Sequence, residues 1–323
     1  MGWQRLMLTT ARHRLANWVE RDRDPDTLTR YALNVGPDII GALGPNQPAI
    51  GINLRGDPFG IDLTHNPHAM LIGASGKGKS TTARTYLCGR LRTGTRIIVL
   101  EAAKVGDYRY CEHQVSRVKT EAGITAALKW LVAERQRRQN AVDTYTTPDG
   151  NGVDHYGQIP GNDGPIDLVA EEIKALIGKG NRFDKAVTDK WFTALAEVAS
   201  LGRSADIHLI AVTQIGTLIS FGTNETANGL RSSVQARITH DTGRQNLEVL
   251  TDGLSAPTLQ VQNLMEQGGK GRVAYVGCDA ASDGEIQVGQ IVPLTQAQAR
   301  REAESYAGPE PIRFDPTIKE FSS

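Results

Sequence analysis

The chain has 323 residues, 39% hydrophobic and 22% charged, the proportions of an ordinary folded protein large enough for one big α/β domain or two small ones. Its 36 basic and 36 acidic residues cancel to a formal charge of zero, which excludes a protein that holds nucleic acid by bulk charge and leaves only a local basic surface. Three well-separated cysteines (Cys88, Cys111, Cys278) without a C-x-x-C pair exclude a disulfide framework, and no run approaches the ~18 apolar residues of a membrane span, so a soluble protein of the reducing cytoplasm is expected.

In chain order, residues 3–19 alternate apolar and basic side chains at helical spacing and run into Glu20-Arg21-Asp22-Arg23-Asp24-Pro25, which predicts a surface helix ended by a proline turn. Two β-like runs, 50–54 and 59–63, flank Arg55-Gly56-Asp57-Pro58 and predict a hairpin. From residue 69 onward, strand-length apolar runs at 69–72, 97–100, 166–170 and 207–212 alternate with helical patterns, notably 124–142 and 187–201. That alternation predicts a mostly parallel sheet covered on both faces by helices. Beyond Gln214 the pattern weakens to a helix near 227–234, a strand at 236–239 and β-like runs at 273–276 and 286–288. Residues 146–165 are rich in Gly, Pro, Asp and Asn and form a long surface loop. The expected organisation is a helical segment over 1–40, one large α/β domain over 41–307 and a flexible tail over 308–323.

The most informative residues are Gly73-Ala74-Ser75-Gly76-Lys77-Gly78-Lys79-Ser80, followed by Thr81. They match G-x-x-x-x-G-K-S/T, the phosphate loop of ATP-binding enzymes, with a strand entering and a helix leaving. Glycines let successive backbone N–H groups curl around phosphate oxygens, and the helix N-terminus adds partial positive charge. Lys79 is expected to reach the β- and γ-phosphates of ATP and Ser80 to hold Mg²⁺. A chance glycine-rich turn is the alternative, and the strand–loop–helix context argues against it. Downstream, the apolar run 166–170 ends in adjacent carboxylates, Glu171 and Glu172. Glu171 is the candidate for the metal, through water, and Glu172 for the base that orients the attacking water. Alone, the pair could equally be the acidic first turn of a helix. A third run, 207–212, ends in Thr213-Gln214, whose amide at a strand tip can sense the γ-phosphate. His208 is expected to be a packed strand histidine, since it lacks partners at metal spacing.

These residues resemble the motor core of the FtsK/SpoIIIE family of DNA translocases, over roughly residues 50–292. The hairpin followed by Pro67-His68-Ala69-Met70-Leu71-Ile72-Gly73 is similar to the family's approach to its phosphate loop. The stretch 127–138, with Trp130, Glu134, Arg137 and Arg138, resembles its L-x-W-h-x-x-E-h-x-R-R helix. Residues 203–209 resemble its R-x-x-G-I-H-L segment, and 229–238 its h-I-K-x-N-h-x-x-R-I segment. The resemblance implies a RecA-like P-loop fold that closes into a hexameric ring, binds ATP and Mg between subunits and threads double-stranded DNA. Arg203 matches the family's arginine finger, reaching the neighbour's ATP, with Arg237 a second choice; a capping surface arginine is the plain alternative for Arg203. Departures are Ala102-Ala103-Lys104 in place of D-P-K, Asp206 in place of glycine, and Glu171 in place of aspartate. No membrane segment before the motor and no winged-helix reader after it are seen, so septum anchoring and sequence-directed movement are not expected.

DNA contact falls to loops after the catalytic strands: Gly178-Lys179-Gly180-Asn181-Arg182, where Lys179 and Arg182 are the candidates, and residues 216–224. Such contacts track phosphates without reading bases, although solvated loop charge explains them equally well. Arg135, Arg137 and Arg138 form a denser basic patch, for which simple exposure on a helix is the alternative. The expected function is an ATP-driven motor for double-stranded DNA, of a conjugative plasmid, phage or other mobile element. The alternatives are a secretion-type ATPase acting on protein and a nucleotide-binding assembly factor with weak hydrolysis.

Overall fold

The computed structural model describes residues 25–102, 107–177, 183–214, 229–230, 232–240, 242–251, 261–266, 271–278, 286–306 and 308–314. Its strands are β1 (Ala49–Asn53), β2 (Pro58–Gly60), β3 (Ala69–Ile72), β4 (Arg96–Glu101), β5 (Ser116–Val118), β6 (Ile166–Glu171), β7 (Ile207–Thr213), β8 (Ala236–Thr239), β9 (Arg272–Val276) and β10 (Gln287–Ile291). They form one ten-stranded sheet in the order β2-β1-β10-β9-β8-β3-β7-β6-β4-β5. From β8 to β5 every pairing is parallel; β9, β10, β1 and β2 extend that block with antiparallel pairs. The expected hairpin is β1–β2, its turn closed by Asn53 Oδ1, which accepts from the amides of Arg55 and Asp57 at 2.8 and 2.9 Å. It is part of the main sheet, joined to it through β10.

The helices used below are α1 (Pro25–Val35), α2 (Lys79–Arg92), α3 (Glu121–Thr144), α4 (Ile173–Ile177), α5 (Lys185–Leu201), α6 (Arg244–Thr251) and α7 (Gln296–Glu304). Strand side chains alternate between two cores, as their period of two requires. Ala69 and Leu71 of β3 and Ile97 and Val99 of β4 face one core with Leu87 and Leu91 of α2 and Ala299 and Ala303 of α7. Met70, Ile72, Ile98 and Leu100 face the other, filled by Leu128 and Leu131 of α3 and Trp191 and Leu195 of α5. Burial on both faces is why these strands are apolar throughout. The expected α/β sheet with helices on both faces is therefore present.

Two details differ from the sequence expectations. Residues 3–19 lie outside the described residues, and Pro25 opens a helix instead of closing one, because a first helical residue has no use for an N–H. At the other end, Phe314 packs edge-on against Trp130 of α3 with ring centroids 5.7 Å apart, so the segment expected to be a flexible tail is anchored at its start; residues 315–323 lie outside the described residues. Asp206, in the position of a family glycine, has φ +56°, a left-handed conformation that favours glycine and that aspartate tolerates better than most side chains. His208 is buried, as expected, between the Pro67 carbonyl at 3.0 Å and the Asp206 carboxylate at 3.2 Å.

The apolar run of β6 contains one charge, Asp167, fully buried against α2. Arg90 grips it with both arms, Nε to Oδ2 at 2.8 Å and Nη2 to Oδ1 at 3.0 Å, and the Tyr86 hydroxyl donates to Oδ2 at 2.7 Å. Removing one member leaves the other charge buried and uncompensated, whereas replacing both by apolar groups of similar volume is much less costly. Asp167→Ala should lower unfolding free energy by about 3–5 kcal/mol, and Arg90→Met with Asp167→Leu by far less. Urea unfolding of the single and double variants checks this.

Candidate active site

Strand β3 delivers the phosphate loop at its C-terminal end, and both neighbouring strands hold the loop's base. The Gly73 amide donates to Thr213 of β7 at 3.2 Å, and the His240 amide beyond β8 donates to Ile72 at 2.8 Å. Two glycines are needed for space as well as conformation. Gly73 has φ +151° and a Cβ there would meet the His240 Cβ at 3.0 Å; Gly78 has φ +112° and a Cβ would meet Ile291 Cδ1 at 3.0 Å. Gly78 caps α2 without a side-chain hydrogen bond, and the first turn of α2 carries no acid. The first amides of a helix lack intrahelical partners, so this end of α2 suits an anion.

Lys79 is only 5% exposed and donates to the carbonyls of Gly73 and, at 3.2 Å, Ala74. Ser80 donates its hydroxyl to Asp107 Oδ2 at 2.9 Å. Ser75, Gly76 and Lys77 are exposed, while Ala74, Gly78, Ser80 and Thr81 are half-buried. Below the loop, His240 Nδ1 donates to the Ile72 carbonyl at 3.0 Å, which leaves Nε2 to accept from the Thr82 hydroxyl at 2.8 Å. Burial, with a smaller contribution from the Lys79 charge, lowers the His240 pKa to about 4.

The tip of β6 lies on the same edge. Glu171 ends the strand, is buried, and accepts from the Tyr108 hydroxyl at 2.6 Å. Burial first, and the Glu171 charge next, push the Tyr108 phenol well above its ordinary pKa, so it remains a donor. Glu172 follows with φ +50° and accepts at Oε1 from Gln214 Nε2 at 3.0 Å. The Gln214 carbonyl in turn accepts from Asn246 of α6 at 3.3 Å. The strand-end groups read from the sequence are thus gathered on the phosphate-loop edge, with Glu172 and Gln214 in direct contact. Sequence reasoning passed over Asp107, Tyr108, His240 and Asn246. Asp107 and Tyr108 lie at no motif spacing, and only their position just after the second central strand could have marked them.

Arg203 is elsewhere. It is exposed, between the end of α5 and the start of β7, at the opposite edge of the sheet from the phosphate loop. Seven strand residues at ~3.3 Å each put about 20 Å between the two edges. Arg237 is buried and donates to the carbonyls of Val234 at 3.2 Å and Val249 at 2.8 Å, so the second-choice finger is engaged inside its own subunit. The basic patch on α3 is a correction as well. Arg135 pairs with Glu197, Arg137 with Glu134 and Asp163, and Arg138 is buried against Glu134, so their charge is neutralised within the fold. Lys179, Arg182 and the 216–224 loop lie outside the described residues.

These residues fit a nucleoside triphosphate with Mg²⁺: a glycine cradle, a buried ammonium, and a serine hydroxyl beside carboxylate oxygen, the hard donor type magnesium takes. Among the described residues no group of three or more His, Cys, Asp and Glu is placed to hold a metal. A phosphate-loop magnesium takes most of its ligands from phosphate and water, so such a cluster is not required. No described helix is long and apolar enough to cross a membrane.

Fold and loop together define an α/β P-loop nucleotide-binding domain. Residues 43–180 match the model of the FtsK/SpoIIIE family. The chain is 28% identical over 184 residues to the DNA translocase SftA of Bacillus subtilis, covering 53% of this chain and 18% of that protein. It is 25% identical over 232 residues to a DNA translocase FtsK of Campylobacter jejuni, covering 68% and 23%. It therefore spans less than a quarter of the length of these relatives. Among solved structures, the pCW3 conjugation coupling protein TcpA with ATPγS superposes with TM-score 0.63 at 18% identity, over 80% of this chain and 70% of that one. The cytoplasmic domain of the type VII secretion ATPase EccC of Thermomonospora curvata gives 0.59 at 18% identity, over 90% and 35%. These two likenesses show the shared fold.

The buried histidines set an acid limit on stability. His240, at about 4, and His68, lowered to about 3 by burial and by the nearby His208, stay neutral when folded but take up protons near pH 6.5 when unfolded. The unfolded state binds more protons below about pH 6.5, so stability falls with acidification, by up to about 1.4 kcal/mol per pH unit per histidine, until about pH 4 for His240 and about pH 3 for His68. Urea midpoints across that window should fall steadily, and His240→Asn should have a shallower slope than wild type.

Proposed function

We propose that the chain is the ATP-hydrolysing motor of a double-stranded DNA translocase, acting in the cytoplasm as a ring of identical subunits, a hexamer, in the transfer of a plasmid, phage or other mobile element. The observation that carries this reading is the separation of Arg203 from the site it would serve. The phosphate loop, Glu172 and Gln214 share one sheet edge, and the candidate finger stands at the other, about 20 Å away. A ring that docks one subunit's Arg203 edge on its neighbour's phosphate-loop edge completes the site. The DNA substrate is supported by the match of residues 43–180 to the FtsK/SpoIIIE family model and by similar proteins named DNA translocases.

In this scheme the backbone amides of residues 73–81 cradle the phosphates of ATP, and Lys79 leaves the loop carbonyls for the β- and γ-oxygens. Bound magnesium would neutralise phosphate charge, held by Ser80 and a carboxylate beside it. Glu172 orients the attacking water and takes its proton, held in place by the Gln214 amide. Arg203 of the docked neighbour stabilises charge on the transferred phosphoryl group only in the assembled ring. Hydrolysis is thereby tied to assembly. Lys179 and Arg182 remain the candidates for phosphate contact in the ring's pore.

ATP turnover should rise several-fold with long duplex DNA, and Lys79→Ala should abolish it. Arg203→Ala should still bind ATP while its turnover falls by roughly 10³-fold. Turnover indifferent to DNA would contradict the reading. Displacement of a triplex-forming strand from duplex DNA distinguishes a DNA motor from a secretion-type ATPase.

A further inference from the structure

Carboxylates crowd the ends of β4 and β6, and the structure gives each a different neighbour. Glu101 lies opposite Glu171 in the β4–β6 register and takes both arms of Arg117, at 2.8 and 3.1 Å. Glu171 takes the hydroxyl of buried Tyr108. Glu172 takes the amide of Gln214. Asp107 is the one that receives the hydroxyl of Ser80, at 2.9 Å.

We propose that Asp107, and not Glu171, is the carboxylate that faces magnesium beside Ser80, and that Glu171 is a positioning residue that holds the Asp107 loop through Tyr108. This rests on the nucleotide-hydrolysing reading above. Magnesium requires a near-ideal octahedron with oxygens about 2.1 Å from the metal, so adjacent ligands stand about 3.0 Å apart. Ser80 Oγ and Asp107 Oδ2 already have that spacing. Each has lone pairs to offer: the serine keeps its proton and turns it away, and the carboxylate exchanges a hydrogen bond for the cation. Asp107 is held by its sequence neighbours. Tyr108, Tyr110 and Cys111 are buried in the α2-side core, and residues Arg109–Cys111 form a short 3-10 turn. A half-exposed carboxylate anchored by three buried side chains is pre-set for a ligand with strict geometry. The same arrangement gives Glu171 a use. Its buried carboxylate fixes the Tyr108 phenol, and through it the loop carrying Asp107.

The test reads metal-dependent nucleotide affinity rather than turnover. Binding of a non-hydrolysable ATP analogue to the full chain is measured in Mg²⁺ and in EDTA. Wild type should bind about ten-fold or more tightly with Mg²⁺. Asp107→Asn should lose that increment, with affinity in EDTA equal to wild type or tighter because a negative charge beside the phosphates is gone. Asp107→Cys should lose the increment with Mg²⁺ and regain it with Cd²⁺, a switch that follows ligand softness and that a purely structural role would not produce. Glu171→Gln, whose side chain still accepts from Tyr108, should keep most of it. An Asp107→Asn chain that retains the full Mg²⁺ increment, or an Asp107→Cys chain that binds equally in both metals, overturns the assignment. Wild type that binds no nucleotide in either condition would remove the phosphate-loop reading along with it.

Discussion

Everything at the catalytic edge depends on how α2 is seated on β6, and that seating is set by a buried ionic clasp. Arg90 comes from the last turn of the helix whose first residue is Lys79; Asp167 comes from the strand whose last residue is Glu171. The two-pronged contact fixes direction as well as distance, and Tyr86 occupies a further lone pair on the same carboxylate. Arg90 also reaches the Pro45 carbonyl at 3.2 Å, so the segment before the hairpin is registered by the same group. Taking two charges out of water carries a large desolvation cost, and an apolar contact would be an easier way to gain stability. What the clasp supplies is register. A one-residue slip of β6 would turn Asp167 to the other face and carry the paired glutamates with it.

Strain is concentrated at the two functional ends of the sheet. Among the described residues the non-glycine positions with positive φ are Glu172 and Asp206. One carries the proposed base; the other stands three residues after the proposed finger. Each left-handed residue costs of order 1–3 kcal/mol and persists only where its surroundings over-determine it. Glu172 is held by Gln214, and Asp206 by His208 and by its backbone N–H, which donates to the Arg203 carbonyl at 3.2 Å. The Asp206 carboxylate is kept below its ordinary range although burial opposes this, because its bond to His208 and the charges of His208, Arg90 and Arg138 favour the ionised form. Both turns are thus tied to β7, the strand that links the two edges.

The sequence made the central sheet legible because strands buried on both faces must be apolar throughout, and β3, β4, β6 and β7 fall within a residue of the expected bounds. The phosphate loop was legible because Gly73 and Gly78 are demanded by contacts as close as 3.0 Å, and Gly76 by its positive φ. Short or polar elements were not. β5 is Ser116-Arg117-Val118, whose middle residue serves the Glu101 ion pair, and α7 is largely charged and polar apart from its buried alanines. The basic cluster of α3 misled because charge counted along a sequence says nothing about the acids that fold against it; Glu197 and Asp163 arrive from distant segments. Asp107 was hidden for the same reason, since its meaning comes from Ser80, 27 residues away.

The central claim is that the site is divided between subunits, with the phosphate cradle on one sheet edge and the cation that completes it on the other. Mixing Lys79→Ala and Arg203→Ala chains, each inactive alone, tests it most directly, because some interfaces in a mixed ring receive a wild-type cradle and a wild-type arginine. The account predicts that ATP turnover reappears in the mixture and peaks near equal proportions. Mixtures that co-assemble yet stay inactive at every ratio would contradict it.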